Sequence, residues 1–357
     1  MKILFVFYIP SGGVETLNRQ RCKALQAQGI ECHLMYLEQG SGMQNIEGIP
    51  TFVMSRDRDI RRHLLAHQYN CIVVCSNYMI LPRLRRTRYK GHIIFEVQGL
   101  GSVYDARNIL IDAKQNVLSC CNGILYPKTP HLMNIIDELY SGFPKFCFHD
   151  IMDTRTFCYR KNPKPPSPVI GWVGRIEDNK NWASFLQIGR RLIDHNPAIK
   201  LWMFEDATLA KPAERLKFDK MVQDLRLSPH LVIRSNVLHN EMPDYYSMIG
   251  DSGGFLLSTS KVEGFGYAIA EAISCRCPVL TTDSDGVRTF IIHNVTGKFF
   301  PLNNTEAAVA EGMDLMRNIP LRNAMKTNAF NHMNANCSAA QYVANFKQML
   351  RTLGYSI

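Results

Sequence analysis

The chain has 357 residues, 46% of them hydrophobic, a length and composition that fit about two packed domains. No apolar run approaches the roughly 18 to 20 continuous residues that cross a bilayer. The 11 cysteines show neither paired zinc-ligand spacing nor a compact disulfide framework, which leaves reduced, mostly buried thiols as the preferred reading. A formal charge of +10 asks for an anionic partner: nucleic acid, lipid headgroups or an anionic substrate, with a plain solvated basic face as the alternative. No RNP, zinc-finger or helix-turn-helix signature supports nucleic acid.

In chain order, "MKILFVFYIP" is too brief for the apolar core of a signal peptide and lacks a small-residue cleavage site, so it reads as a buried first strand of a cytoplasmic protein. "VETLNRQRCKALQAQG" follows as a helix, then "ECHLMYL" as a strand. The strands "CIVVCS", "GHIIFEV" and "GILYP" each precede a polar or helical segment. This alternation is the signature of a doubly wound parallel sheet. Basic residues cluster in "RDRDIRRHLL" and "PRLRRTRYKG", so Arg58, Arg61, Arg62, Arg83, Arg85, Arg86 and Arg88 are candidates to meet an anionic membrane at its inner face, or an acidic acceptor. The proline-rich "YRKNPKPPSPVIGWVGR" interrupts the rhythm as a linker does. After it, "VIGWVG", "IKLWMFED", "LVIRSN", "GGFLLSTS" and "CPVLTTD" are strands. Helices fall at "NWASFLQIGRRLIDHN", "PAERLKFDKMVQDLRL" and "EMPDYYSMIG". Two Rossmann-like domains are predicted, 1–164 and 165–340, and 341–357 is predicted as a helix that packs outside or crosses back to the first domain. Facing domains of this kind bind ligands in a cleft at the carboxyl ends of their strands.

Three loops after strands carry the chemistry. In "FVFYIPSGGVET", Gly12 and Gly13 form a tight turn before a helix predicted to begin near Val14, where free amides favour a phosphate; simple chain reversal is the commoner reason for such a pair. It is neither a GxGxxG fingerprint nor a Walker loop. In "VIGWVGRIEDNKNW", Gly174 is followed by Arg175 and Lys180, a fork of donors and a point charge suited to a diphosphate, although isolated cations are more often surface residues. In "KVEGFGYAIAEA", Glu263 sits in a glycine-rich loop and Glu271 about one turn inside a helix. Carboxylates accept hydrogen bonds from vicinal hydroxyls, as on a ribose or a hexose. The glycines let the backbone of Gly264, Phe265 and Gly266 approach a ligand. A glycosidase acid and nucleophile, or a surface glutamate at 271, are the alternatives.

Together these segments resemble the retaining glycosyltransferases of family 4. The resemblance runs over "GGVE", "GWVGRIEDNKNW", "EGFGYAIAEA", "PVLTTDSDGVRTFIIHNVTGKFFP" and "CFHDIMDTRTF". It implies the GT-B fold, with Arg175 and Lys180 on the donor diphosphate and Glu271 on the ribose hydroxyls. Glu263 with the Gly264–Gly266 backbone would meet the transferred sugar. It also implies acceptor binding by the first domain, where Gln98, Tyr8, Tyr104, Lys128 and His131 are candidates. The expected reaction moves a sugar from a UDP- or GDP-linked donor to a hydroxyl acceptor, lipid-linked or anionic. No metal or other cofactor is expected. The pairs beginning at Asp57 and Asp283 are the only Asp-x-Asp spacings, and only the second follows a strand. The pattern departs from the family at Gln98, where a histidine is usual, at Asp285 and Thr289, and at Asp150-Ile151. A glutamine cannot act as a base near neutral pH. A sugar-nucleotide epimerase or phosphorylase of the same fold, or a catalytically silent binding protein, are the competing readings.

Overall fold

A computed structural model describes all residues 1–357 as two compact units, Met1–Met152 with Cys337–Ile357, and Asp153–Asn336. The first contains strands β1 (Lys2–Phe7), β2 (Glu31–Tyr36), β3 (Thr51–Val53), β4 (Cys71–Cys75), β5 (His92–Glu96), β6 (Gly123–Tyr126) and β7 (Lys145–Cys147). They form one sheet in the order β3-β2-β1-β4-β5-β6-β7, with every pairing parallel. Its helices are α1 (Gly12–Gln26), α2 (Asp57–His67), α3 (Leu81–Arg86), α4 (Val103–Cys120) and α5 (Pro130–Leu139). The second unit has β8 (Val169–Val173), β9 (Lys200–Glu205), β10 (Leu231–Ser235), β11 (Phe255–Ser258), β12 (Val279–Thr282) and β13 (Lys298–Phe300). These too are all parallel, in the order β10-β9-β8-β11-β12-β13. Around them run α6 (Trp182–His195), α7 (Pro212–Asp224), α8 (Met242–Asp251), α9 (Tyr267–Ser274), α10 (Thr305–Arg317) and α11 (Ile319–Asn336). The final helix, α12 (Ala339–Thr352), returns to the first unit.

Strands covered on both faces become continuous apolar runs, and "CIVVC" of β4 is buried at every position. The edge strand β10 pairs only with β9 and leaves four of its five residues exposed. In each sheet the strand order reverses beside the first strand, between β1 and β4 and between β8 and β11. Loops leaving the carboxyl ends of such strands diverge and open a crevice for ligands.

The domain boundary lies at 152/153 rather than 164, and the return to the first unit begins at 337 rather than 341. The reason is that the segment before the prolines is pinned to α8. The Arg160 guanidinium donates to Asp244 at 2.9 Å, the Asn162 amide donates to Asp244 at 3.0 Å, and Phe157 is fully buried. At the other junction, the Met152 amide donates to the Cys337 carbonyl at 2.8 Å. Helix α12 then covers α1, with Phe346 against Phe5 at 6.0 Å between ring centroids.

Helix α1 buries an ion pair in the first unit. Arg21 lies over the Phe5 ring and donates from Nη1 to both Glu96 carboxylate oxygens, at 2.6 and 2.7 Å. Replacing Arg21 by Met is expected to cost about 3–5 kcal/mol, because Glu96 is left charged and unpaired in the interior; urea denaturation measures it.

A second buried network ties α2 to β2. The Tyr69 hydroxyl lies 2.8 Å from both His33 Nδ1 and His63 Nε2, and His33 Nε2 donates to Glu31 at 3.0 Å. Burial, with His67 and His33 adding repulsion, holds His63 down at about 4, and burial lowers His33 as well. In the same unit, burial and the charge of Glu96 push Asp150 up to about 7. A histidine kept neutral by the fold stabilises it fully above 6.5, its ordinary value, and that contribution is lost as pH falls towards 4. A carboxyl kept neutral acts oppositely, its contribution disappearing as pH rises from 3.8 to about 7. Calorimetric melting from about pH 4.5 to 8 is therefore expected to show less acid loss in His63→Phe than in the native chain. Asp150→Asn should gain stability over the native chain only at the alkaline end.

Candidate functional site

The site in the second unit is assembled at the switch point of its sheet. Strand β8 ends at Val173, and the turn after it passes under the Lys180 stem. A methyl group on Gly174 would sit 2.9 Å from the Trp172 ring and 3.1 Å from Lys180 Cγ, so this position requires glycine for space. The following turn, residues 178–181, is zippered to the loop leaving β11. The Asn179 side chain donates to the Val262 carbonyl at 3.0 Å and accepts from the Val262 amide at 3.2 Å. The Lys261 amide donates to the Asn179 carbonyl at 2.8 Å, and the Thr259 hydroxyl is shared by the carbonyls of Lys180 and Asn181. These contacts bring Lys180 and Glu263, 83 positions apart, to 2.5 Å, both partly buried. Arg175 stands nearby in sequence, half-exposed and paired with Glu177 at 3.0 Å.

The Glu263 loop is held from its other side by the segment after β12. The Glu263 amide donates to the Ser284 carbonyl at 3.1 Å, and the Gly286 amide donates to the Glu263 carbonyl at 3.2 Å. The approach is so close that a Cβ on Gly286 would lie 2.1 Å from the Gly264 carbonyl oxygen. Gly266 then takes φ +87° to start α9. The Phe265 ring is buried, packed on Tyr267 at 4.9 Å and Phe290 at 5.3 Å, which leaves its backbone as the part that a donor could meet. An aromatic flanked by glycines anchors this loop because its ring finds an apolar pocket beneath.

Glu271 lies in the middle of α9, as the spacing predicts, but is buried rather than on the helix surface. Its Oε1 accepts from His239 Nε2 at 2.7 Å and its Oε2 from the Tyr246 hydroxyl at 2.9 Å. Burial and the adjacent carboxylate push the Tyr246 phenol well above its ordinary value, so it stays a donor. Neither partner was legible in the sequence: His239 lies in the loop before α8, Tyr246 within α8, and no spacing relates either to Glu271. Asp283, in the second Asp-x-Asp, is held by Arg288 through Oδ1 at 2.7 Å and Oδ2 at 2.5 Å, which lowers its carboxyl.

In the first unit, α1 begins at Gly12, two residues before the expected Val14, so Gly12 and Gly13 are its first helical residues, Gly12 at φ +65°. Gln98 is buried just after β5, the strand read from "GHIIFEV". Its Nε2 donates to Asp150 Oδ1 at 2.8 Å. Tyr104 is exposed on the first turn of α4, Lys128 is exposed after β6, and His131 is half-buried at the start of α5, so these residues occupy three different elements. Tyr8 is half-exposed, its phenol raised by a hydrogen bond to Glu38. Among the seven arginines, Arg83 and Arg85 are structural. Arg83 pairs with Asp57, while Arg85 donates to the carbonyls of Cys120, Tyr89 and Gly91. Arg58, Arg61, Arg62, Arg86 and Arg88 are exposed. No helix is long and apolar enough to cross a membrane.

Two parallel Rossmann-like units, the second with cations and carboxylates gathered at its switch point, define the architecture of the GT-B glycosyltransferases. Residues 156–332, nearly the whole second unit, match the family model for glycosyl transferases group 1. The chain therefore carries a group 1 glycosyltransferase domain. Among curated proteins it is similar to sucrose synthase of Solanum tuberosum, 21% identical over 256 residues, which are 69% of this chain and 31% of that protein. Sucrose synthase 2 of Hordeum vulgare is 22% identical over 257 residues, again 69% and 31%. The matches span less than a third of those relatives. Among solved structures, HepE of Anabaena in complex with UDP and glucose aligns with a TM-score of 0.82 at 14% identity, covering 99% of each chain. Sucrose-phosphate synthase from Thermosynechococcus elongatus aligns at 0.81 and 15% identity, also covering 99% of each.

Because all three tryptophans, Trp172, Trp182 and Trp202, lie in the second unit, their fluorescence follows that unit alone. Gly286→Ala, which drives a methyl group into a backbone carbonyl, should lower its stability by about 1–3 kcal/mol in urea titrations read by this signal.

Proposed function

We propose that this chain is a retaining, metal-independent glycosyltransferase that moves a sugar from a nucleoside diphosphate donor, UDP- or GDP-linked, to a hydroxyl acceptor. The observation that carries the reading is the 2.5 Å contact between Lys180 and Glu263, which joins the two motifs of the second unit in one place within a group 1 glycosyltransferase domain. Lys180 and Arg175 neutralise the charge that grows on the leaving diphosphate as the bond from the anomeric carbon to the phosphate oxygen breaks. The acceptor oxygen attacks from the same face, and its proton passes to the departing phosphate oxygen. No separate base is needed, so a glutamine at position 98 is compatible with turnover.

Glu263 is the internal counter-ion of Lys180 and becomes available to sugar hydroxyls when the diphosphate takes over the ammonium. Glu271 holds the ribose hydroxyls. Acceptor binding by the first domain rests on the family resemblance; Gln98, Tyr104, Lys128 and His131 are candidates within it, each with a structural role as the alternative, and the Gln98 amide is already committed to Asp150. The arginines 58, 61, 62, 86 and 88 remain for a lipid-linked or otherwise anionic acceptor, with the protein cytoplasmic or peripheral to the inner membrane face.

UDP, the nucleotide bound in the HepE structure, is the first ligand to try, followed by GDP and ADP. Thermal denaturation with each diphosphate should show a selective rise in melting temperature, because a ligand that binds only the native state stabilises it by mass action. Arg175→Ala should lower donor-sugar turnover about 100-fold or more, and EDTA should leave it unchanged. Activity abolished by chelation would overturn the metal-independent mechanism. No shift with any diphosphate would overturn the donor assignment.

A further inference from the structure

We infer that His239 is a positioning residue for the ribose of the donor nucleotide, setting the Glu271 carboxylate for it; this rests on the assignment of Glu271 to that ribose. An ionised carboxylate offers about four lone-pair sites. Two are occupied, one by Tyr246 on Oε2 and one by His239 on Oε1. Two remain, the number that a vicinal diol fills.

The two donors differ in place. Tyr246 is fully buried within α8, whereas the His239 side chain is 16% exposed and that of Glu271 is 4% exposed. Of the two donors, the imidazole is therefore the one that solvent reaches. The ring is itself held by Phe157, 4.7 Å away between centroids. Phe157 lies in the segment that moves the unit boundary to residue 153, so the imidazole is fixed by that added piece of chain. With Tyr246 gripping one oxygen and His239 the other, the carboxylate cannot rotate, and its free lone pairs keep one orientation. Loss of the His239 donor frees that rotation, so the two remaining lone pairs lose the fixed direction that a vicinal diol needs. The expected effect falls on recognition of the diol rather than on nucleotide binding in general.

The test is calorimetric titration of the intact chain with UDP, 2′-deoxy-UDP and 3′-deoxy-UDP. In the native protein each missing hydroxyl should weaken binding by about tenfold. His239→Ala should weaken UDP by about tenfold and reduce the penalty for either deoxy analogue to less than about threefold. His239→Gln, whose Nε2 can still donate, should restore both. Should His239→Ala fail to fold, His239→Met fills the space beside Phe157 without donating and takes its place.

A merely structural histidine would weaken all three nucleotides alike. Unchanged deoxy penalties in the Ala or Met variant, or no rescue by Gln, overturn the inference while leaving the donor assignment standing. If Glu271→Gln leaves UDP binding and both penalties unchanged, or if the native chain binds no UDP, GDP or ADP, the Glu271 assignment fails and the inference falls with it.

Discussion

The second unit depends on the pairing of two turns that leave neighbouring strands. Asn179 meets the backbone of Val262 with both ends of its side chain, and Thr259 closes the same seam on the carbonyls of Lys180 and Asn181. These are neutral hydrogen bonds, each worth only about 0.5–1.5 kcal/mol net. Their importance is geometric. They fix the backbone on both sides of Lys180 and next to Glu263, so the ion pair inherits its position and need not create it. The same seam explains why glycine occupies 174, where the Lys180 stem crosses, and why another occupies 286, where the next loop presses on the carbonyl of Gly264. A site of this kind is preorganised by neutral hydrogen bonds rather than by charge.

The sequence revealed the parallel strands well where both faces are covered, because uninterrupted apolar runs as short as "CIVVC" and "VIGWVG", bounded by polar or turn residues, suit a doubly buried strand better than a helix. Short strands escaped: β3, β7 and β13 have three residues each, too few to display a period. The motif glutamates were placed correctly on their loop and helix. Their environments were not, because burial of Glu271 depends on α8, whose tyrosine and preceding histidine come from a distant part of the chain. The burial of the Phe265 ring was likewise not readable from its glycine neighbours, because it depends on Tyr267 and Phe290 meeting beneath the loop. The domain boundary failed for a related reason: prolines mark stiff chain, and stiff chain pinned by Arg160 and Asn162 belongs to the unit that pins it.

The first unit is unusual in how much polarity it buries along one helix. Glu15, Thr16, Asn18, Arg19, Gln20 and Arg21 are all inaccessible on α1. Arg21 reaches Glu96 on β5, and Glu96 in turn raises the proton affinity of Asp150, which receives the Gln98 amide. The glutamine that departs from the family pattern is thus part of a buried electrostatic network. That network constrains Gln98 whatever ligand it meets, and the departure at Asp150 beside it belongs to the same arrangement. The position cannot be interpreted by its side chain alone.

Helix α12 is the lid on that network, and it is the last helix in the chain order. The second unit is continuous, whereas the first is completed only by residues that follow the entire second unit. During vectorial synthesis the second unit can close as soon as it emerges, while the first waits with α1 uncovered. Its buried arginine, and the aromatic surface around Phe5, must remain soluble through that interval. The polar character of α1 is then useful twice: it anchors the finished core, and it keeps the half-made one from offering a broad apolar face to its neighbours in the cell.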